Sequence, residues 1–159
     1  MKNKGFTLAE LLAVIAILAI IATITTPIIL NVLNESKINA FKDNAMSLNR
    51  TAQNYYAASS ISSNVKLPIL ITFNQKNETN KYLNSETNSC ETSDERILEY
   101  NGQNPDSGNI FINKNGDISM AIYNKDTSVC AKKNPEDKTV RVEKTNAENC
   151  VLDNDPCTN

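Results

Sequence analysis

The stretch MKNKGFTLAELLAVIAILAIIATITTPIIL, residues 1–30, is the most apolar part of the chain. Its run from Leu11 to Leu30 is interrupted only by Thr23, Thr25, Thr26 and Pro27. As an α-helix, this run spans roughly 30 Å, which is the hydrocarbon thickness of a bilayer. The sequence therefore predicts one helix that can cross a membrane, followed by a polar head rich in Asn, Ser, Thr and Lys.

Positive charge precedes the apolar run. Lys2 and Lys4 lie just before it, so the positive-inside rule predicts a cytoplasmic N-terminus and an exported head. A secretory signal peptide also places positive residues before an apolar segment, but its apolar core is shorter and a small-x-small cleavage site follows it. We therefore expect the apolar run to be retained as an anchor.

A single carboxylate, Glu10, lies at the threshold of the apolar run. An ionised carboxylate near hydrocarbon is costly unless it is paired, so an acid in this place is a functional candidate. The alternative is that Glu10 simply lies among the lipid headgroups.

The residues before this acid form a motif. Gly5 is followed by Phe6, Thr7 and Leu8, and Glu10 stands at the fifth place after the glycine. This pattern resembles the type III signal peptide of type IV prepilins, of a Gram-positive-like kind. The resemblance implies that a prepilin peptidase cuts between Gly5 and Phe6 and methylates the new N-terminal Phe6.

The resemblance also implies roles for stem residues. Glu10 would pair with the amino group of Phe6 on a neighbouring processed subunit, mainly to set register, because a buried ion pair often adds little net stability. Pro27 falls where pilins carry a proline, so the match extends through residues 6–30. A proline removes a helical hydrogen bond, which predicts a kink or a loosened turn at Pro27. In the family the stem can partly unwind there, and an ordinary membrane-helix kink is the alternative.

The helical pattern continues beyond Leu30 with one apolar face. We expect a single helix from about Phe6 to Ala58, whose apolar stripe is covered by the head or, alternatively, forms a seam between helices. The residues of this stripe recur mostly at spacings of three and four: Ile38, Phe41, Ala45, Met46, Leu48, Ala52, Tyr55 and Tyr56. The predicted organisation is a leader at 1–5, a stem at 6–30, an amphipathic half at 31–63 and a globular head at 64–159.

The head is predicted to contain three or four antiparallel strands within about residues 96–144. The strand patterns are Arg96–Tyr100, Asn109–Asn113, Asp117–Tyr123 and Thr139–Lys144. Lys114-Asn115-Gly116 predicts a tight hairpin connection. The stretch VKLPILITF at 65–73 is a short strand or helix, and Pro68 argues against a central strand. The expected fold class is α+β, with a long N-terminal helix packed against a small antiparallel sheet, and its order of elements resembles that of a type IV pilin.

Four cysteines, Cys90, Cys130, Cys150 and Cys157, all lie in the exported head. An even count outside the cytoplasm favours two disulfides. We expect Cys150 to pair with Cys157 by chain proximity and Cys90 to pair with Cys130. A thiolate zinc site and free thiols are the alternatives, although no C-x-x-C spacing supports zinc.

Other metal and cofactor sites are not predicted. Asp153, Asn154 and Asp155 offer oxygen ligands for calcium, but the turn glycine and the distal Glu of a calcium loop are missing, so a solvated acidic loop is expected. The sequence predicts no bound metal and no cofactor.

Composition argues against several classes of function. A net charge of −2 and 6% aromatic residues give neither the basic field nor the stacking surface of a nucleic-acid-binding protein. The chain has no histidine, which removes the commonest general base. We place no catalytic residues and expect the protein not to be an enzyme.

The resemblance therefore implies a structural subunit of a type IV pilus, for adhesion or twitching motility. Its implied partners are further copies in a helical homopolymer, the prepilin peptidase, a platform protein and assembly ATPases. The resemblance implies a single-pass protein of the cytoplasmic membrane, with its head outside, before assembly and a part of an extracellular filament afterwards. The alternatives are a pseudopilin of a type II secretion or DNA-uptake machine, and a bitopic sensor that never polymerises.

Overall fold

The structure, a computed structural model, describes residues 5–59, 61, 66–74, 77–84, 89–93, 97–100, 102–153 and 157. The chain divides into two compact units, Met1–Lys37 and Ile38–Asn159. The first contains the apolar part of the long helix, and the second contains the rest of that helix and the sheet.

Helix α1 runs from Leu8 to Ser59 and carries Pro27 inside it. It begins two residues later than the sequence predicts, because Thr7 accepts the first helical hydrogen bond from the Leu11 amide at 3.2 Å and so caps the helix. Its end agrees with the predicted end to within one residue.

One face of the second half of α1 is buried in the head. Phe41, Ala45, Leu48 and Ala52 are buried, at spacings of four, three and four residues that place them on one side of the helix. Ile38, Met46, Tyr55 and Tyr56 pack against the same core. The prediction that the head covers this stripe is confirmed.

The head contains one seven-stranded antiparallel sheet in the order β3-β2-β1-β4-β5-β6-β7. One face of its central strands packs on α1 through isoleucines, Phe73 and Met120. The predicted α+β class is confirmed, but the expected count of three or four strands is wrong. The strands are β1 Ile69–Asn74, β2 Asn77–Asn84, β3 Ser89–Ser93, β4 Ser107–Ile112, β5 Ile118–Asn124, β6 Val129–Lys133 and β7 Arg141–Lys144.

Strand β1 is central, contrary to the expectation drawn from Pro68. Pro68 stands immediately before Ile69, the first residue of β1, so it removes no hydrogen bond from inside the ladder. From Ile69 to Asn74, β1 pairs with β2 on one side and with β4 on the other. Ile69, Ile71 and Phe73 alternate into the core.

The predicted strand at Arg96–Tyr100 is also wrong. Residues 97–100 form no strand, and Arg96 lies outside the described residues. Ile97, Leu98 and Tyr100 pack into the core as irregular chain. The buried Glu78 carboxylate of β2 fixes this segment, because its Oε1 accepts the Ile97 amide at 3.0 Å and the Leu98 amide at 3.3 Å.

The hairpin at Lys114–Gly116 is confirmed. It joins β4 to β5, with the Gly116 amide donating to the Asn113 carbonyl at 3.2 Å. The Asn113 side chain also accepts the amides of Asn115 and Asp117 at 2.8 and 2.9 Å. Strand β5 then pairs with β6, a strand that the sequence did not predict.

A buried lysine at the end of β6 bonds to backbone carbonyls at the start of β5 and just after β6. Lys133 is only 6% exposed, and its Nζ donates to the carbonyls of Ile118 and Asn134 at 3.1 and 3.2 Å. Burial lowers the pKa of the Lys133 ammonium, while the negative charges of Asp137 and Asp117 raise it by less.

The disulfides join different pairs from those expected. Cys90 of β3 is bonded to Cys157, and Cys130 of β6 to Cys150, with Cα–Cα distances of 5.9 and 5.6 Å. The expected bond between Cys90 and Cys130 fails because five interstrand steps separate β3 from β6 in the sheet. At about 4.8 Å per step these exceed by far the roughly 7 Å that a disulfide can span.

The first prediction concerns Gly108 in β4. Its φ is +122°, and a Cβ would lie 2.2 Å from the Ala121 carbonyl oxygen and 2.6 Å from the Ile122 Cα, both backbone atoms of β5. Gly108→Ala should therefore lower the free energy of unfolding of the head by about 3 kcal/mol.

Gly102→Ala is the matched control for Gly108→Ala. There the Cβ would meet the end of the Asn44 side chain, which can move, so the loss should be much smaller. Urea denaturation of both variants measures the difference, and equal losses would contradict the role given to the β4–β5 contact.

The second prediction is stepwise reduction of the disulfides. Cys130 and Cys150 are buried, at 0% and 4% exposure, whereas Cys90 and Cys157 are half-buried and β3 contains no buried residue. Reductant should therefore open Cys90–Cys157 first in the folded protein. Alkylation and peptide mass spectrometry at rising reductant concentrations measure the order. In denaturant the two bonds should open together, and simultaneous opening in the native protein would contradict the prediction.

Candidate functional site: the N-terminal segment

The residues before α1 are exposed and not helical. Gly5, Phe6 and Thr7 have no regular secondary structure, and the Phe6 side chain is 84% exposed. The peptide bond between Gly5 and Phe6 is therefore outside the helix. Within the part of the chain that the structure describes, a Cβ at Gly5 would meet no atom within 4 Å, so packing there does not require a glycine.

Glu10 is bonded within its own chain. Its Oε2 accepts the Thr7 amide at 2.8 Å and the Thr7 hydroxyl at 2.8 Å, while the Thr7 Oγ1 accepts the Glu10 amide at 3.2 Å. This reciprocal pattern is a capping box, in which an N-cap Thr and a Glu three residues later satisfy each other's free amides.

Sequence reasoning missed the contribution of Thr7. The signal was present, because Thr-x-x-Glu directly before an apolar run is the sequence signature of a capping box. The resemblance gives Glu10 a partner on another chain, whereas in the structure its carboxylate bonds to Thr7 of its own chain.

The apolar part of α1 is uncovered in the single chain. Its large hydrophobic side chains are exposed throughout, from 47% at Val14 to 84% at Phe6 just before the helix. Among the described residues, α1 is the one helix long and apolar enough to cross a membrane.

Threonine hydroxyls in this part of α1 bond to their own helix. Thr23, Thr25 and Thr26 donate to the carbonyls of Ala19, Ile21 and Ala22 at 2.8, 3.0 and 2.7 Å. These bonds satisfy the hydroxyls without water, so the threonines do not prevent the helix from entering hydrocarbon.

Pro27 lies just after these threonines. It has no amide proton to donate to the Thr23 carbonyl, and helical structure continues through it. The kink or loosened turn at Pro27 stays a prediction.

The predicted site residues fall into the two units. Gly5, Phe6 and Glu10 lie within one short segment, with Pro27 further along the same helix. The four cysteines belong to the head and are all in disulfides, so none of them is a thiolate ligand.

The described part of the head offers little for metal binding. Within it, no group of three or more Cys, Asp or Glu side chains converges. Asp153 is exposed and lines a cleft of about 350 Å³, together with Ser119, Asn134, Pro135, Glu136 and Leu152. Asn154 and Asp155, the other candidate calcium ligands, lie outside the described residues.

Comparison with known proteins addresses the same N-terminal segment. Residues 1–26 match the family model of the prokaryotic N-terminal methylation motif, the type IV pilin signal. This match supports a type IV prepilin-like protein and covers the first 26 of the 159 residues. No curated protein and no solved structure matches the chain. The motif points to a structural protein rather than an enzyme and implies processing by prepilin peptidase.

The third prediction concerns membrane insertion of the chain. Ile20 is exposed near the middle of the apolar run. Ile20→Arg should disfavour insertion by about 3 kcal/mol, the cost of an arginine at the centre of a spanning helix. Cell fractionation should then find less protein in the membrane.

Ile20→Leu is the control for the arginine variant and should insert like the wild type. Thermal unfolding of the head should be the same for both variants, because Ile20 lies outside the unit Ile38–Asn159. Unchanged membrane insertion of Ile20→Arg would contradict the spanning role of α1.

Proposed function

We propose that this protein is the structural subunit of a type IV pilus, cut after Gly5, methylated on Phe6 and assembled through its N-terminal helix. The observation that carries the proposal is the methylation motif at residues 1–26, which is continuous with an uncovered apolar helix. A protein that only anchors a head in a membrane needs the apolar helix but not the motif.

The surroundings of Gly5 support cleavage at this position. The Gly5–Phe6 bond is exposed and outside the helix, so a peptidase can bind it as extended chain. Among the described residues, no atom fills the space that a side chain at Gly5 would occupy. The small Gly5 leaves room for a processing enzyme to fit around the bond.

The uncovered stem supports assembly into a filament. Outside the bilayer, its exposed apolar side chains must be shielded from water, at about 25 cal/mol for each Å² covered. Identical stems packed side by side provide that cover once lipid is left behind. The apolar surface then supplies cohesion between stems. It does not by itself fix the axial position of one stem relative to its neighbour.

Glu10 supplies the missing register in this proposal. Its carboxylate would bind the free amino group of Phe6 on a neighbouring subunit, so that both charges are neutralised in an apolar environment. Breaking such a pair leaves an uncompensated charge, which is more costly than the pair is stabilising. A slipped stem is therefore disfavoured.

The head fits an exported position. Two disulfides are typical of proteins outside the reducing cytoplasm, and Lys2 and Lys4 favour a cytoplasmic N-terminus. The protein would lie in the cytoplasmic membrane before assembly and in a surface filament afterwards. A platform protein and cytoplasmic ATPases would drive assembly, and adhesion or motility would be the use of the filament.

The fourth prediction tests this function. Mass spectrometry of material sheared from the surface of the producing cells should find N-methylated Phe6 at the start of an abundant species. Gly5→Val, which places a branched side chain beside the scissile bond, should leave the Met1 form in the membrane.

Two other results are informative. A cut form that stays in the membrane and is absent from sheared material would favour a pseudopilin of a secretion or DNA-uptake machine. An uncut wild-type chain would contradict both functions.

A further inference from the structure

The capping box holds Glu10 in one orientation. Both Thr7 donors, the amide and the hydroxyl, reach the same oxygen, Oε2, at 2.8 Å. Among the described residues, no donor is bonded to Oε1. One carboxylate oxygen is thus held by Thr7, while the Glu10 residue as a whole is exposed.

Such an orientation has a cost when it must be created during binding. A free glutamate side chain loses about 1.5–2 kcal/mol of rotamer entropy when it is fixed. In this chain the box fixes Glu10 before any neighbour arrives, so part of this loss precedes assembly, as in other preorganised binding sites.

The same box determines where the helix starts. Because the first helical hydrogen bond runs from the Leu11 amide to the Thr7 carbonyl, Phe6 lies before the cap and is not part of the helix. An amino group created at Phe6 by cleavage is therefore outside the helix and accessible to a second copy of the chain.

We propose that Thr7 is a positioning residue for assembly: it holds Oε2 of Glu10 so that Oε1 receives the Phe6 amino group of a second copy. Thr7 contributes without touching that second copy. The inference rests on the proposed filament function and names a residue to which that function alone assigns no role.

Variants at Thr7 and Glu10 distinguish the effect of the capping box on assembly from the effect of the Glu10 charge. Thr7→Val keeps the shape of the side chain and removes the hydroxyl, whereas Thr7→Ser keeps the hydroxyl. Glu10→Gln removes the charge but retains the box, because glutamine also serves at this position of a capping box.

The experiment measures incorporation of each tagged variant into filaments made together with the wild-type chain. Incorporation is normalised to the amount of processed variant in the membrane, so that differences in cleavage or abundance cancel. Thr7→Val should be incorporated about five- to tenfold less, the range expected when an N-cap hydrogen bond is lost. Thr7→Ser should stay within about twofold of the wild type, as serine caps as well as threonine.

The double variant Thr7→Val/Glu10→Gln decides whether Thr7 acts through the carboxylate. If it does, Thr7→Val causes no further loss once the charge is gone, so the double variant matches Glu10→Gln. Equal fold losses in both backgrounds, or full incorporation of Thr7→Val, would overturn the proposal.

Failure of the proposed function gives a different result. In that case the wild-type chain yields no filaments, or Glu10→Gln is incorporated normally. The box itself is then still measurable by NMR of the full chain in detergent micelles. The Thr7 carbon shifts should show an N-cap in the wild type and in Glu10→Gln, and a helix start at Thr7 that persists unchanged in Thr7→Val would also overturn the proposal.

Discussion

The constraint on which this molecule depends is the uncovered apolar surface of the first part of α1. Its large side chains are exposed from Leu11 to Leu33, so lipid or other copies must cover them. This requirement explains why the polar side chains there bond to the backbone of their own helix. The hydroxyls of Thr23, Thr25 and Thr26 do so. The head has its own core, so its fold does not depend on which of the two covers the stem.

The stem was predictable because its signals are local. A run of apolar residues, two preceding lysines and the Gly5–Glu10 motif each lie within a few positions of one another. The buried stripe of Phe41, Ala45 and Leu48 was predictable for the same reason, since helical periodicity is read from neighbours in sequence. The capping box is local too, because Thr7 and Glu10 are three residues apart, but the sequence does not show whether Glu10 bonds within its own chain or to another.

Much of the head was not predictable, because its signals depend on distant partners. Strand β2 carries Glu78 and Asn80 on its core side, where apolar residues are expected, and both are buried. Ile97 and Leu98 cover this polar stretch as irregular chain. Their apolar side chains are typical of a strand, which is why the sequence predicts one there. The disulfides could not be paired without the strand order, since sequence distance says nothing about positions across a sheet.

The bond between Cys90 and Cys157 has a mechanical consequence. It closes residues 90–157 into a covalent ring that includes strands β4–β7. When tension on α1 opposes a hold inside the ring, the chain between Ser59 and Cys90 lies outside the ring and can extend to at most roughly 100 Å. From Cys90 the load then reaches the hold by two paths, the backbone and the sulfur–sulfur bond to Cys157, so the shorter path limits how far strands β4–β7 can be drawn out.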